Sequence, residues 1–456
     1  MSSADPLKIT FVTGVGTVTG ANFLLETPQG AKILVDCGLV QGEKVALDEN
    51  REPFPYDLGS ITALFITHAH LDHVGRIPKL VKDGYKGPIY STPQTRELAE
   101  LVLEDAVNIL AEEAKRDGLA PLYGREDVQA IFSQWKTIDY HTSFEAAPGV
   151  AVYLKDAGHI LGSSMIEIRA GGKKILFTGD LGNSPAPLLR DSEPIGDVDH
   201  LIMESVYGDR NHEDREGRIN KLEQAIKDTI ARNGTLVIPA FAIDRTQVLL
   251  YELNDLVEQK KIPSIPVFVD SPMAIKATEV YRRSTDLFND RVREQIRRGD
   301  DIFAFSHLQY TMSRDQSEAI DHARAPKIIM AGSGMSVGGR ILGHEEHYLS
   351  DERNMLLLVG YQALGSLGRL LADGAKKVHI HGKTIKIKAH VETLYGFSAH
   401  KDGDHLVDFV ATGTDKLKQV FAVMGEPKAS MHLAQRINDE LGVKAIAPER
   451  LKSYEI

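Results

Sequence analysis

The chain has 456 residues, a formal net charge of −11 and one cysteine, Cys37. One cysteine excludes an internal disulfide framework, and the acidic balance excludes a surface that attracts nucleic acid everywhere, though not a locally basic cleft. The length exceeds what a single hydrophobic core usually fills, so two domains, or one with a large insertion, are expected.

At the N-terminus, MSSADPLKIT lacks a basic start followed by an apolar run, so no secretory signal is expected. No window is apolar enough for a membrane span, and the lone cysteine fits a reducing, cytoplasmic setting. "KITFVTGVGTVTGANFLLETPQGAKILVDCG" has short apolar runs broken by Gly, Thr and a P-Q-G turn. It predicts two or three antiparallel strands. "ITALFITHAH" reads as a buried strand feeding a metal-rich loop, "RIPKLVKDGY" as a short helix, and "GPIYST" as a strand. Residues 94–136 carry helical spacing, with a Leu/Val stripe best read as core. Strands return at "VAVYLKDAGHILGSSMIEI", "KKILFTGDLG" and "DHLIMESVYGD". From about 208 to 380, helices alternate with strands "TLVIPAF", "PVFVDSP", "PKIIMAGSGM" and "NMLLLVGYQ", the pattern of a parallel α/β sheet. The tail returns to strand, loop and helix. The expected segments are 1–207, 208–380 and 381–456.

"HAHLDH" places His68, His70, Asp72 and His73 within six residues. Imidazoles and carboxylates suit zinc and related divalent ions. A H-x-H pair leaving a strand presents both rings on one side, and Asp72 and His73 then turn toward a neighbouring point. "DAGHILGSS" adds His159 in a Gly-flanked turn, and "LFTGDLG" adds Asp180 at a strand end. Either alone reads as structural; with the first motif they complete a ligand set.

On these motifs the chain resembles the metallo-β-lactamase fold. More narrowly, it resembles the β-CASP RNA-processing nucleases, the bacterial and archaeal relatives of the subunit that cleaves pre-mRNA 3′ ends. Asp36 in "LVDCG", Glu204 in "MESVYGDR" and His400 in "GFSAHKD" extend the match, as do "PAFAIDRTQ", "DSPMA", "AGSGMSVGGRILGH" and "VGYQALGSLG". The resemblance implies an α/β fold: an αββα sandwich with an inserted α/β β-CASP cap. It implies a first zinc on His68, His70 and His159, a second on Asp72 and His73, Asp180 bridging them, and Asp36 orienting the ligands. Asp72, Glu204 and His400 are the implied catalytic residues, with His400 as the acid. A homodimer is expected on the resemblance alone.

One position departs. Where the family carries a further ligand His, "VFAVMGEPK" has Met424, and a soft neutral thioether is a poor partner for zinc among imidazoles. The second zinc is therefore expected to be weakly or partly held. The alternatives are that His432 substitutes, or that one metal binds and the enzyme is slow. The Gly-rich stretch Ala331–Arg340 could present N–H groups to phosphate. Ser333, Ser398, Arg245 and Arg340 are the expected substrate contacts, each equally readable as structural. "GVGTVTG" is not a dinucleotide motif, since no helix follows. "HEEH", His344 to His347, matches no zinc motif, and His379 and His381 alternate along a strand.

The implied function is hydrolysis of single-stranded RNA by a metal-bound hydroxide. The alternatives are a hydrolase of small esters or lactams, or an RNA-binding protein with catalysis weakened at Met424.

Overall fold

The computed structural model describes residues 6–41, 44–212, 215–363 and 365–456. The chain divides into two compact units, Met1–Asn211 with His400–Ile456, and His212–Ala399. No helix among the described residues is long and apolar enough to cross a membrane.

The first unit holds two seven-stranded sheets. In one, Lys8–Thr13, Asn22–Glu26 and Lys32–Val35 form the antiparallel meander expected near the N-terminus. Ala63–Phe65, Ile89–Ser91 and Trp135–Thr137 then add in parallel. The second sheet runs Ala445–Ile446, Gln419–Val423, His200–Glu204, Lys173–Phe177, Ser164–Ala170, Val150–Asp156 and Ser143–Ala147. Strand side chains alternate between faces, and Val150, Val152 and Leu154 point inward. They meet Phe11, Phe23, Ile33 and Phe65 of the other sheet in a single core. The second sheet's outer face packs Leu176, Leu201 and Val420 on Leu406, Val410, Leu433 and Ile437 of helices Gly403–Ala411 and Pro427–Leu441. The predicted helical stretch is two helices, Pro93–Arg116 and Arg125–Phe132. Leu98, Leu103 and Ala106 of the Leu/Val stripe are buried.

The second unit is built on a six-stranded parallel sheet, ordered Leu308–Tyr310, Val267–Asp270, Lys327–Ala331, Thr235–Pro239, Met355–Val359, His390–Leu394. Thr235–Pro239, Lys327–Ala331 and Met355–Val359 are buried at every position, as strands covered on both faces must be. His390–Leu394 hydrogen-bonds along Met355–Val359. By its internal contacts the second unit runs on to Ala399.

Candidate metal centre

The polar cluster gathers at strand ends of the first unit. After Ala63–Phe65 the chain leaves the sheet through Thr67 and His68. His70 is the N-cap of the short helix Leu71–Val74, which carries Asp72 and His73 in its first turn. His159 lies in a turn after Val150–Asp156, closed by Ser163. The Ser163 hydroxyl accepts the His159 and Ile160 N–H groups at 3.0 and 3.3 Å. Asp180 follows Lys173–Phe177. Two glycines let these loops touch. A Cβ at Gly182 would lie 1.8 Å from the Gly158 carbonyl oxygen, and one at Gly38 would lie 1.5 Å from that of Asp72.

His68 Nε2 lies 3.1 Å from His70 Nδ1, and His159 Nε2 lies 3.2 Å from the same atom. Asp180 Oδ2 lies 3.3 Å from His68 Nε2 and 3.5 Å from His159 Nε2. A tetrahedral ion with bonds of about 2.0–2.1 Å has ligand-to-ligand edges of roughly 3.3–3.4 Å, so the four atoms fit one divalent ion. Burial, aided by neighbouring imidazoles, pushes His70 and His159 well below the ordinary histidine range and lowers His68 as well. The neutral ring is the form that binds metal.

The other Asp180 oxygen faces a second set. His73 Nε2 lies 3.4 Å from Asp180 Oδ1 and 3.8 Å from Asp72 Oδ2. His73 Nε2 and Asp180 Oδ1 are both buried without a hydrogen-bond partner. Buried polar atoms left unpaired are costly, so this pair also fits a cation. Asp36 fixes its orientation: Oδ2 accepts His73 Nδ1–H and the Thr67 hydroxyl, each at 2.8 Å. Its Oδ1 accepts the Thr67 N–H at 2.8 Å. The Oδ2 bond puts a His73 proton on Nδ1 and aims Nε2 at Asp180. Burial opposes the charged ring, but the Asp180, Asp36 and Asp72 carboxylates hold it well above the ordinary histidine range, so an ion bound there would displace the Nε2 proton.

Beside this cluster, Glu204 is wholly buried and accepts the Leu181 N–H at 2.6 Å. Its Oε1 and Oε2 lie 3.1 and 3.2 Å from His400 Nδ1, and Asp180 Oδ2 lies 4.0 Å from that nitrogen. Burial disfavours the imidazolium, but the Glu204 and Asp180 carboxylates overcome it and hold His400 at about 9. The His400 ring is centred 4.7 Å from that of His159.

The remaining sequence-predicted residues are placed otherwise. Met424 is 2% exposed in the core between the sheets, and its N–H donates to the Gly14 carbonyl at 2.8 Å. A Cβ on Gly14 would lie 2.8 Å from the Met424 sulfur, so the thioether packs against that loop. His432 lies exposed on the helix Pro427–Leu441, whereas His68, His73, His159 and Asp180 are buried. Arg245 is buried, with Nη1 donating to the Val359 carbonyl at 2.8 Å. Arg340 donates to Asp270 Oδ1 at 2.6 Å and to the Thr311 and Met312 carbonyls. Both guanidiniums therefore have internal partners. In the Gly-rich stretch, Ser333 N–H donates to Gly338 and Ser336 N–H to Ser333, while the Val337 N–H donates to the Ser333 hydroxyl. These three amides bond within the loop, as in a plain turn. Ser398 is buried, its N–H on the Tyr395 carbonyl.

Thr67 and Ser163 escaped the sequence reading. The Thr before "HAH" and the Ser four residues after His159 were the signals, but their bonds are visible only in three dimensions.

These strand-end donors on two packed sheets, with an inserted parallel domain, define a class. The chain belongs to the β-CASP branch of the metallo-β-lactamase superfamily, a family of divalent-metal hydrolases. Family models match the metallo-beta-lactamase superfamily at residues 15–238, the Beta-Casp domain at 246–371, and a Zn-dependent metallo-hydrolase RNA specificity domain at 384–448. The chain is 36% identical over 395 residues to Ribonuclease TTHA0252 of Thermus thermophilus, covering 86% of this chain and 88% of that one. It is 32% identical to the transcription termination factor FttA of Methanosarcina mazei, covering 99% of this chain and 72% of the relative. The FttA of Pyrococcus abyssi is 31% identical, covering 99% and 71%. A crystal structure of a protein of unknown function from Enterococcus faecalis shares the fold, with a TM-score of 0.56 at 13% identity over 99% of this chain and 100% of that one.

Proposed function

We propose that the chain is a zinc-dependent ribonuclease hydrolysing phosphodiester bonds of single-stranded RNA. The observation that carries this reading is the convergence of His68 Nε2, His70 Nδ1, His159 Nε2 and Asp180 Oδ2 beside a His400 held protonated. The Thermus relative's name supports RNA as the substrate. His68, His70, His159 and Asp180 would hold a first ion, and Asp72, His73 and Asp180 would hold a second. Bound there, divalent ions supply a nucleophile at neutral pH and offset charge on the phosphoryl oxygens. Asp36 keeps His73 aimed. Glu204 keeps His400 charged, and His400 donates its proton to the departing ribose oxygen. Ser333 and Ser398 are proposed phosphate contacts; Arg245 and Arg340 are not, given their internal partners. His68, His159 and Asp180 are at most 3% exposed, and donors so recessed favour one unpaired strand over a duplex.

The test compares a labelled single strand with the same sequence in duplex. Cleavage of the single strand only, lost with chelator and restored by zinc, is expected. An intact single strand, or hydrolysis of a lactam instead, would sink the reading. We also propose that the second ion is weakly held, because the Met424 position offers no imidazole. Met424→His should then raise bound zinc per chain and speed cleavage. Unchanged metal content in that variant would overturn this account.

A further inference from the structure

A one-sided run of positive charge lies outside the metal cluster, in residues 376–390. KKVHIHGKTIKIKAH contains five lysines, three histidines and no acidic residue, within a protein of net charge −11. Its two strands, Lys377–Ile380 and Lys383–Lys386, form an antiparallel hairpin. The turn residues His381 and Gly382 both have positive φ, at 47° and 76°, as a tight two-residue hairpin turn requires. Val378, Ile380 and Ile385 bury one side of the hairpin in the second unit's core, together with Tyr348, Leu349 and Leu371. The other side is fixed and faces solvent: Lys377, His379, Thr384 and Lys386 are all exposed.

Register makes this face unusual. Lys377 stands directly opposite Lys386, and like charges so placed on a sheet destabilise it. Among the described residues, the side chains of Lys376, Lys377 and Lys386 enter no ion pair, whereas Lys383 and His381 share Glu346. Lysines that only blocked edge pairing could alternate with acids and do the same work. Three lysines without a carboxylate partner among the described residues, on a base anchored in the core, instead fit a polyanion.

We propose that this hairpin is an accessory binding surface for the RNA phosphate backbone, distinct from the residues that cleave it. The identity of the polyanion rests on the ribonuclease reading; the surface itself rests on register and charge. No large apolar side chain is exposed on the hairpin, so its contacts are to phosphates and independent of base sequence.

The test is Lys376→Gln/Lys377→Gln/Lys386→Gln in the full chain, with a matching triple Lys→Arg variant. Binding of a long single-stranded RNA is measured across a salt series, in a His400→Ala background that keeps the RNA intact. Each phosphate contact contributes about 0.7 to the slope of log affinity against log salt. The Gln variant should therefore lose about 2 from the slope and bind roughly ten- to a hundredfold more weakly at about 0.1 M salt, equally for all sequences. The Arg variant should bind like the parent. Without the His400 change, the Gln variant should hydrolyse bis(p-nitrophenyl) phosphate at the parent rate. An unchanged slope and affinity would overturn the proposal. So would binding of polyglutamate at this face that RNA cannot displace, which would indicate an acidic protein partner. If the parent neither cuts nor binds RNA, the ribonuclease reading itself has failed, and the parent's own assay shows this before any hairpin variant is made.

Discussion

Two buried carboxylates on strand ends, Asp180 and Asp270, have opposite surroundings. Asp270 is fully buried, and its two oxygens accept hydrogen bonds from Thr311, Ser317, Arg340 and His344 at 2.6–2.7 Å. Burial favours its neutral form, yet those donors hold it well below the usual carboxylate range. Asp180 is also buried, but its Oδ1 and the facing His73 Nε2 have no hydrogen-bond partner. A saturated buried charge fixes a domain; one with an unpartnered oxygen facing an imidazole nitrogen that also lacks a hydrogen-bond partner is shaped for a ligand.

The largest contrast comes from removing each charge. Asp180→Asn should lower RNA cleavage on the order of a thousandfold or more, since several kcal/mol of charge stabilisation go with the ions, and bound zinc should fall. Asp270→Asn should leave metal content intact and destabilise the second unit by roughly 1–3 kcal/mol, because Arg340, His344, Thr311 and Ser317 lose a charged acceptor. Metal analysis and denaturation on both variants decide the matter; similar behaviour in both measurements would erase the distinction. Next, His400→Ala should slow cleavage by roughly 10²–10⁴-fold with zinc retained. Loss of zinc from that variant would recast His400 as a ligand. Asp36→Asn should weaken zinc binding by about 10–100-fold through a misaimed His73, read by titration against a chelator.

The smallest effect concerns Glu345, whose Oε1 pairs with the Ser336 hydroxyl. Burial raises its carboxyl from 4.5 to about 7. A raised folded-state value means its stabilising contribution is complete below about 4.5 and lost as pH rises through about 7. Glu345→Gln should flatten that decline, a difference on the order of 1–3 kcal/mol between pH 5 and 8. An unaltered stability profile would show that the carboxyl does not titrate there.

Donor identity was legible early. His68, His70, Asp72 and His73 declare themselves by spacing, and His159 and Asp180 follow strands into glycine turns. The fate of the arginines was not legible. Arg245 and Arg340 look alike in sequence as free cations in a nucleic-acid enzyme. What they do depends on the Val359 carbonyl and on Asp270, 114 and 70 residues away. The four residues of "HEEH" show the same limit: His344 serves Asp270, Glu345 serves Ser336, Glu346 pairs with Lys383, and His347 faces Asp321 at 3.5 Å. The helix's 3.6-residue turn sends neighbours to different sides, so adjacent residues meet unrelated partners.

By itself, the sequence marked which residues are candidate metal donors and which strands lead to them, because ligand chemistry and strand patterning are local. Only the tertiary structure decided that one Asp180 oxygen faces three imidazoles and the other faces His73, that Asp36 orients His73, and that Glu204 meets His400 across 196 residues. Those distances follow from sheet pairing between strands far apart in the chain, and no local spacing encodes them.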